Sequence, residues 1–348
     1  MFFASDNAGI AHPAIMEALT RANTGYAMPY GADAIMDEVR AQIRDIFEAP
    51  EAAVYLVATG TAANSLALAT YCQPYQTVFC SPVAHIHEDE CNAPEFYSGG
   101  AKLTLVGDAP KMTPEALKAA IEGEETRGVH GPQRGPLSIT QVTERGTVYS
   151  VAEIKALSEI AKSYGLPVHL DGARFANALE ALGCTPAEMT WKSGVDVVSF
   201  GGTKNGCMGV EAVIFFDPEK AWEFELRRKR GAHLFSKHRY LSAQMQAYLQ
   251  DDLWRDNARK ANANCARLTA GLRDAGVTFL HDPQANIIFC AFPRASHQRL
   301  HDAGALYYVW SGSLEGDDPD ELLEARLVCD WSISDEEIDR FIDLVKPA

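Results

Sequence analysis

The stretch Val168-His169-Leu170-Asp171-Gly172-Ala173-Arg174 reads as a short apolar strand that ends in a carboxylate, a glycine turn and an arginine. In a parallel sheet the ligand crevice lies outside the carboxyl ends of the strands, which is where this reading puts Asp171 and Arg174. A turn-forming Asp-Gly pair beside a surface arginine is the competing reading. Thirty-three residues beyond Asp171, Lys204 sits just past a second apolar run, in Ser199-Phe200-Gly201-Gly202-Thr203-Lys204-Asn205-Gly206. Glycines let a backbone approach a ligand closely, and a desolvated lysine with a lowered pKa can bond a carbonyl as a Schiff base.

On both sides of these motifs, β-branched apolar runs alternate with segments of helical period. Strands are expected at 54–58, 77–80, 102–106, 137–141, 196–200 and 212–216, and helices at 62–71, 113–122 and 151–164. The alternation predicts an α/β fold, with a largely parallel sheet covered by helices on both faces. Past residue 216 the pattern changes. The basic run Arg227, Arg228, Lys229 and Arg230, expected as a solvated face, leads into one long helical segment at 238–272. Strand candidates at 285–292 and 325–331 follow, then a helix at 334–344 with Ser334 and Glu337 at capping-box spacing. The predicted division is a large domain over 1–240 and a smaller α+β domain over 241–348. The glycine- and proline-bearing stretch 123–136 is expected as an exposed loop.

The 348 residues carry 31 Lys and Arg against 47 Asp and Glu, a formal net charge of −16, which argues against attachment to nucleic acid or anionic lipid. A small molecule is the expected partner. Eight cysteines are scattered with no CxxC pair and no Cys/His cluster, so neither a metal site nor a disulfide framework is expected, and a cytoplasmic setting fits. No stretch reaches the roughly 18 apolar residues that a membrane span needs.

A third signal is Ala58-Thr59-Gly60-Thr61-Ala62-Ala63-Asn64, which follows a strand and opens a helix. Free N–H groups and the positive end of the helix dipole make such a place an anion cradle, although an ordinary helix cap reads the same way. Neither GxGxxG nor GxxxxGK[ST] occurs, which sets aside a nicotinamide dehydrogenase. A phosphate cradle, a strand-end carboxylate and a strand-end lysine together are what pyridoxal 5'-phosphate requires. Donors hold the phosphate, a carboxylate keeps the ring nitrogen protonated, and an amine takes the aldehyde.

These motifs, in this order, resemble the L-threonine aldolase family, in particular its bacterial low-specificity and phenylserine aldolase branch. Ser5-Asp6-Asn7, Tyr30-Gly31-Ala32-Asp33, Gly60-Thr61-Ala62-Ala63-Asn64, the His85 to Glu90 segment, His169 to Arg174, Thr203-Lys204-Asn205-Gly206 and Arg326-Leu327-Val328 carry the resemblance over nearly the whole chain. It implies the aspartate aminotransferase fold (fold type I) and pyridoxal phosphate as cofactor. It also implies aldol cleavage of β-hydroxy-α-amino acids to glycine and an aldehyde, by a homodimer or homotetramer. Residue by residue it makes Lys204 the cofactor-bonding lysine and Asp171 the partner of the ring nitrogen. Gly60, Thr61 and Thr203 would hold the phosphate and His85 would stack on the ring. Ser5, Arg174 and Arg326 would grip the substrate carboxylate. Family members carry a second histidine in a Glu-Asn-Thr-His segment, whereas the matching stretch here is Gln141-Val142-Thr143-Glu144. The general base is therefore open between His85, Glu144 and a water that they hold. Another fold type I reaction, such as β-elimination or transamination, and a non-catalytic binding protein are the rival functions.

Overall fold

The computed structural model describes residues 1–346. Seven strands form the main sheet: β1 (Ala53–Val57), β2 (Gln76–Cys80), β3 (Lys102–Leu105), β4 (Gln133–Thr140), β5 (Val168–Gly172), β6 (Val197–Gly201) and β7 (Glu211–Phe215), in the order β1-β7-β6-β5-β4-β2-β3. The block β3, β2, β4, β5, β6 is parallel throughout, while β7 is antiparallel to both of its neighbours. Every residue of β5, β6 and β7 is buried, as befits strands covered on both faces.

Three sequence expectations change here. The stretch 123–136 is not all loop, because β4 begins at Gln133 and takes Pro136 into the sheet. Its pairing with β2 shifts register between Thr77 and Phe79, which accommodates the missing proline N–H. The helical segment 238–272 is two helices, Arg239–Leu249 and Leu253–Asp274, broken where Asp251 and Asp252 turn left-handed at φ 52° and 58°. Aspartate tolerates that conformation better than most residues. Arg228 of the basic run is buried: it lies over the Tyr55 ring, donates to the Leu56 carbonyl at 3.1 Å and pairs with Glu225 at 2.8 Å.

A second, antiparallel sheet follows the order β10-β11-β9-β8, from β8 (Thr278–Phe279), β9 (Ile287–Pro293), β10 (Tyr308–Ser311) and β11 (Leu322–Val328). The amino-terminal segment belongs to this part. The Phe3 N–H donates to Leu306 O, the Val328 N–H donates to Phe3 O, and the Phe3 side chain lies in the same apolar core as Leu327 and Phe341. Conversely, Leu241, Met245 and Trp254 bury themselves in the core of the main sheet, so that core reaches past residue 240. Pro347 and Ala348, the end of the predicted small domain, lie outside the described residues. The helix Asp335–Val345 has the expected capping box between Ser334 and Glu337. Among the described residues no helix is long and apolar enough to cross a membrane.

Candidate active site

At the carboxyl ends of β5 and β6, Asp171, Ala173, Thr203 and Lys204 meet the amino end of the helix Gly60–Tyr71 and His85 around a cavity of about 250 Å³. Asp171 closes β5 and is fixed twice: Oδ1 accepts the Ala173 N–H at 3.0 Å, and Oδ2 accepts Asn64 Nδ2 at 2.9 Å. Lys204 rides on a single helical turn, Thr203–Asn205, anchored by Asn205 Nδ2 donating to the Tyr248 hydroxyl and to the Trp254 carbonyl, both at 2.7 Å. Burial above all, and then the Arg174 charge, hold the Lys204 amine below its ordinary value, and no hydrogen bond stabilises its charged form. The glycines beside it do a different job from the one expected. A Cβ on Gly201 would stand 2.5 Å from Ala173 O, and one on Gly202 2.7 Å from Val210 O, so they admit neighbouring backbone rather than a ligand.

Gly60, by contrast, faces open space, with no atom within 4 Å of where its Cβ would be. Thr59 caps this helix by accepting the Ala62 N–H at 3.2 Å, and the Ala63 N–H goes to Thr59 O. The N–H groups of Gly60 and Thr61 have no acceptor among the described residues and open on the cavity. Across from them, Thr203 Oγ1 accepts the Val210 N–H at 3.2 Å, and its hydroxyl is hydrogen-bonded to Glu211. Glu211 also accepts the Gly202 N–H at 2.8 Å, and burial pushes its carboxyl up to about 7.

His85 is held from two sides. Its backbone N–H donates to Glu144 Oε1 at 2.7 Å, and its ring Nδ1 lies 2.9 Å from Glu90 Oε1. Burial works against a charged imidazole here, but the Glu90 hydrogen bond and the Asp171 charge outweigh it, so His85 is raised above its ordinary value. With Nδ1–H donated to Glu90, Nε2 is the free ring nitrogen. Glu144, which the sequence left open as a candidate base, has a buried Oε2 without a hydrogen-bond partner, and burial pushes its carboxyl up to about 7. It stands behind the His85 backbone, and His85 rather than Glu144 lines the cavity.

Arg174 is engaged as well. Its Nε and Nη2 donate to Asp6 at 2.7 and 3.0 Å in a buried bidentate pair, which leaves the Nη1 side of the guanidinium. Asn286 Nδ2 donates to the same Asp6 carboxylate at 3.2 Å, which ties the main sheet, the amino-terminal segment and the second sheet together. Burial opposes the Asp6 charge, but Arg174 and Lys204 keep its carboxyl below the usual range. Arg326 Nη1 donates to Ala4 O at 3.3 Å, and Ser5 Oγ accepts the Asn7 N–H at 3.1 Å. Ser5, Arg174 and Arg326 thus stand around the Ala4 to Asn7 turn, and Asn7 is the part of that turn that reaches the cavity wall.

The sequence pattern of beta-eliminating lyases matches residues 3–294. The chain belongs to the beta-eliminating lyase family. It is 41% identical to a low specificity L-threonine aldolase of Pseudomonas aeruginosa, over 99% of this chain and 96% of that one. It is 40% identical to one from a Pseudomonas species, over 94% and 92% of the two chains. The structure of a threonine aldolase from Leishmania major superposes with a TM-score of 0.89 at 25% identity, covering 99% of this chain and 98% of the other.

The residues that line this cavity fit pyridoxal phosphate. Two unpaired N–H groups at a helix start suit a phosphate, a fixed carboxylate suits a ring nitrogen, and an unbonded amine on the cavity wall suits an aldehyde. The sequence pointed to Lys204, Asp171, Gly60 and Thr61 because each stands at the end of a strand or the start of a helix, and to His85 through the family resemblance alone. It missed Asn64, Glu211 and the Asp6–Arg174 pair. Their partners lie far off in sequence, and an asparagine inside a helix or a glutamate starting a strand carries no local signal.

Proposed function

We propose that the protein is a pyridoxal-phosphate-dependent carbon–carbon lyase of the aldehyde-lyase type. It cleaves L-threonine, L-allo-threonine and related β-hydroxy-α-amino acids such as phenylserine to glycine and an aldehyde. The observation that carries this is Lys204: a half-buried amine on the cavity wall with no hydrogen bond among the described residues, in one cavity with Asp171 and the free N–H groups of the Gly60 helix.

When bound, the cofactor supplies an electron sink for the electrons left on the substrate α-carbon. In this reading Lys204 would take the cofactor aldehyde, Asp171 would keep the ring nitrogen protonated, Gly60 and Thr61 would hold the phosphate with Thr203 beside them, and His85 would stack on the ring. Arg326, with Ser5 and the free Nη1 side of Arg174, would bind the substrate carboxylate and so orient the bonds at the α-carbon. His85 Nε2 takes the proton of the β-hydroxyl, directly or through a water, and Glu144 keeps the His85 backbone in place.

The same reading includes a two-domain chain, a cytoplasmic setting and a homodimer or homotetramer. Tyr26, Met28, Tyr30, Met208 and Phe235 are exposed apolar side chains on adjoining segments. The Tyr30 N–H donates to Ser236 O, and the Met208 N–H donates to Gln244. A second copy covering that face would remove it from water.

Purified protein with the cofactor is to be given L-threonine, L-allo-threonine and phenylserine in turn. Glycine and the matching aldehyde in equal amounts are the expected products. Ammonia with a keto acid would place the protein with β-elimination instead, and the absence of any product would remove the catalytic reading.

A further inference from the structure

The helix Gly60–Tyr71 is buried from Ala62 to Thr70 and carries Asn64 and Ser65 side by side in that buried stretch. Both face one carboxylate. Asn64 Nδ2 lies 2.9 Å from Glu90 Oε1, and Ser65 Oγ lies 3.4 Å from Glu90 Oε2. The same Asn64 nitrogen also lies 2.9 Å from Asp171 Oδ2, while its oxygen is buried with no hydrogen-bond partner. Turning the amide over would set that oxygen against two carboxylates, so its orientation is dictated by the acids on either side. Glu90 Oε1 in turn meets His85 Nδ1 at 2.9 Å. An unbroken chain therefore runs Asp171, Asn64, Glu90, His85, through three separate segments.

We propose that Asn64 is a positioning residue: by giving one N–H to Asp171 and the other to Glu90 it holds Glu90 as the acceptor that orients the His85 ring through Nδ1. The proposal rests on the functional reading above only for what Asp171 and His85 face.

The physical need is plain. Glu90 is fully buried, and burial together with the Asp171 charge pushes its carboxyl up, while His85 and Asn64 pull it back. Without the Asn64 hydrogen, the balance tips and Glu90 keeps its own proton. His85 then loses an ion-pair partner and titrates lower. The charged or titratable groups around His85 are Glu90 on its own segment, Asp171 from β5, Lys204 from the turn after β6, and Glu144, which takes its backbone N–H. Only Glu90 is bonded to the ring.

Hydrogen–deuterium exchange at histidine C2, read by mass spectrometry on the cofactor-loaded protein, gives the titration midpoint of His85 by itself. In Asn64→Leu, which keeps the shape and loses both N–H groups, that midpoint should fall by about one unit or more. Glu90→Gln should lower it equally, and the double variant should fall no further than either. Should Asn64→Leu not fold, Asn64→Ser carries the test, because its single hydroxyl can serve one acid and not both. A native His85 midpoint in the Asn64 variants while Glu90→Gln shifts it, or shifts that add in the double variant, would overturn the proposal. Aldehyde release is not the readout, so failure of the aldolase reading leaves a distinguishable result.

Discussion

In the proposed reading His85 is the base that the sequence left open and Glu144 its support. His85 presents Nε2 to the cavity, and Glu144 holds its backbone from behind. His85→Asn is expected to lower turnover by about 10²–10⁴-fold. Glu144→Gln, which keeps an oxygen for the His85 N–H, should cost far less. The opposite ranking in steady-state kinetics would make Glu144 the base. Since the base form is the unprotonated ring, kcat should fall as pH drops through the raised His85 value, and this limb should persist in Glu144→Gln. Glu211 gives a separate pH effect. Its folded value of about 7 lies above the ordinary 4.5, so between the two the folded protein binds more protons than the unfolded chain, and stability falls as pH rises through that window. Glu144 adds the same sign. Thermal midpoints of cofactor-free Glu211→Gln at about pH 5 and about pH 8 should therefore differ less than those of the native protein. An unchanged difference would show that Glu211 ionises normally.

At the level of elements, the strands were legible because the buried runs are β-branched and bounded by turns; β5 and β6 lie within two residues of where the pattern puts them. The break at Asp251 and Asp252 was not, because periodicity continues across it and only two left-handed residues mark it. β4 was read short at its start, since Gly135 and Pro136 look like loop until the register shift opposite them is known. A Cβ on Gly135 would stand 2.4 Å from Thr77 O. The site was legible where a residue ends a strand, and illegible where a side chain serves another side chain. One helix position tests the packing directly. A Cβ on Gly271 would meet three atoms of Ile342 at 2.2 to 2.9 Å, so the helices Leu253–Asp274 and Asp335–Val345 approach each other through that glycine. Gly271→Ala, which in an exposed helix would gain about 1 kcal/mol, is expected here to lose about 1–3 kcal/mol in denaturant melts. A stabilised variant would mean that the two helices can move apart freely.

At the level of the whole molecule, the excess of acidic groups gives −16 of like charge, which an assembly spreads over its outer surface while the apolar face around Tyr26, Met28 and Phe235 is covered. Sedimentation at dilute concentration should find a dimer or tetramer, and a fully active monomer would contradict that part while leaving the chemistry intact. What joins the parts into one catalyst is the meeting of β5, β6 and the Gly60 helix at a single lysine. Sodium borohydride reduction of the cofactor-loaded protein, followed by peptide mass spectrometry, tests this most directly. The pyridoxyl mass should be found on Lys204 and be absent, together with aldehyde release, in Lys204→Ala; the label on another lysine, or cleavage that survives Lys204→Ala, would contradict the account.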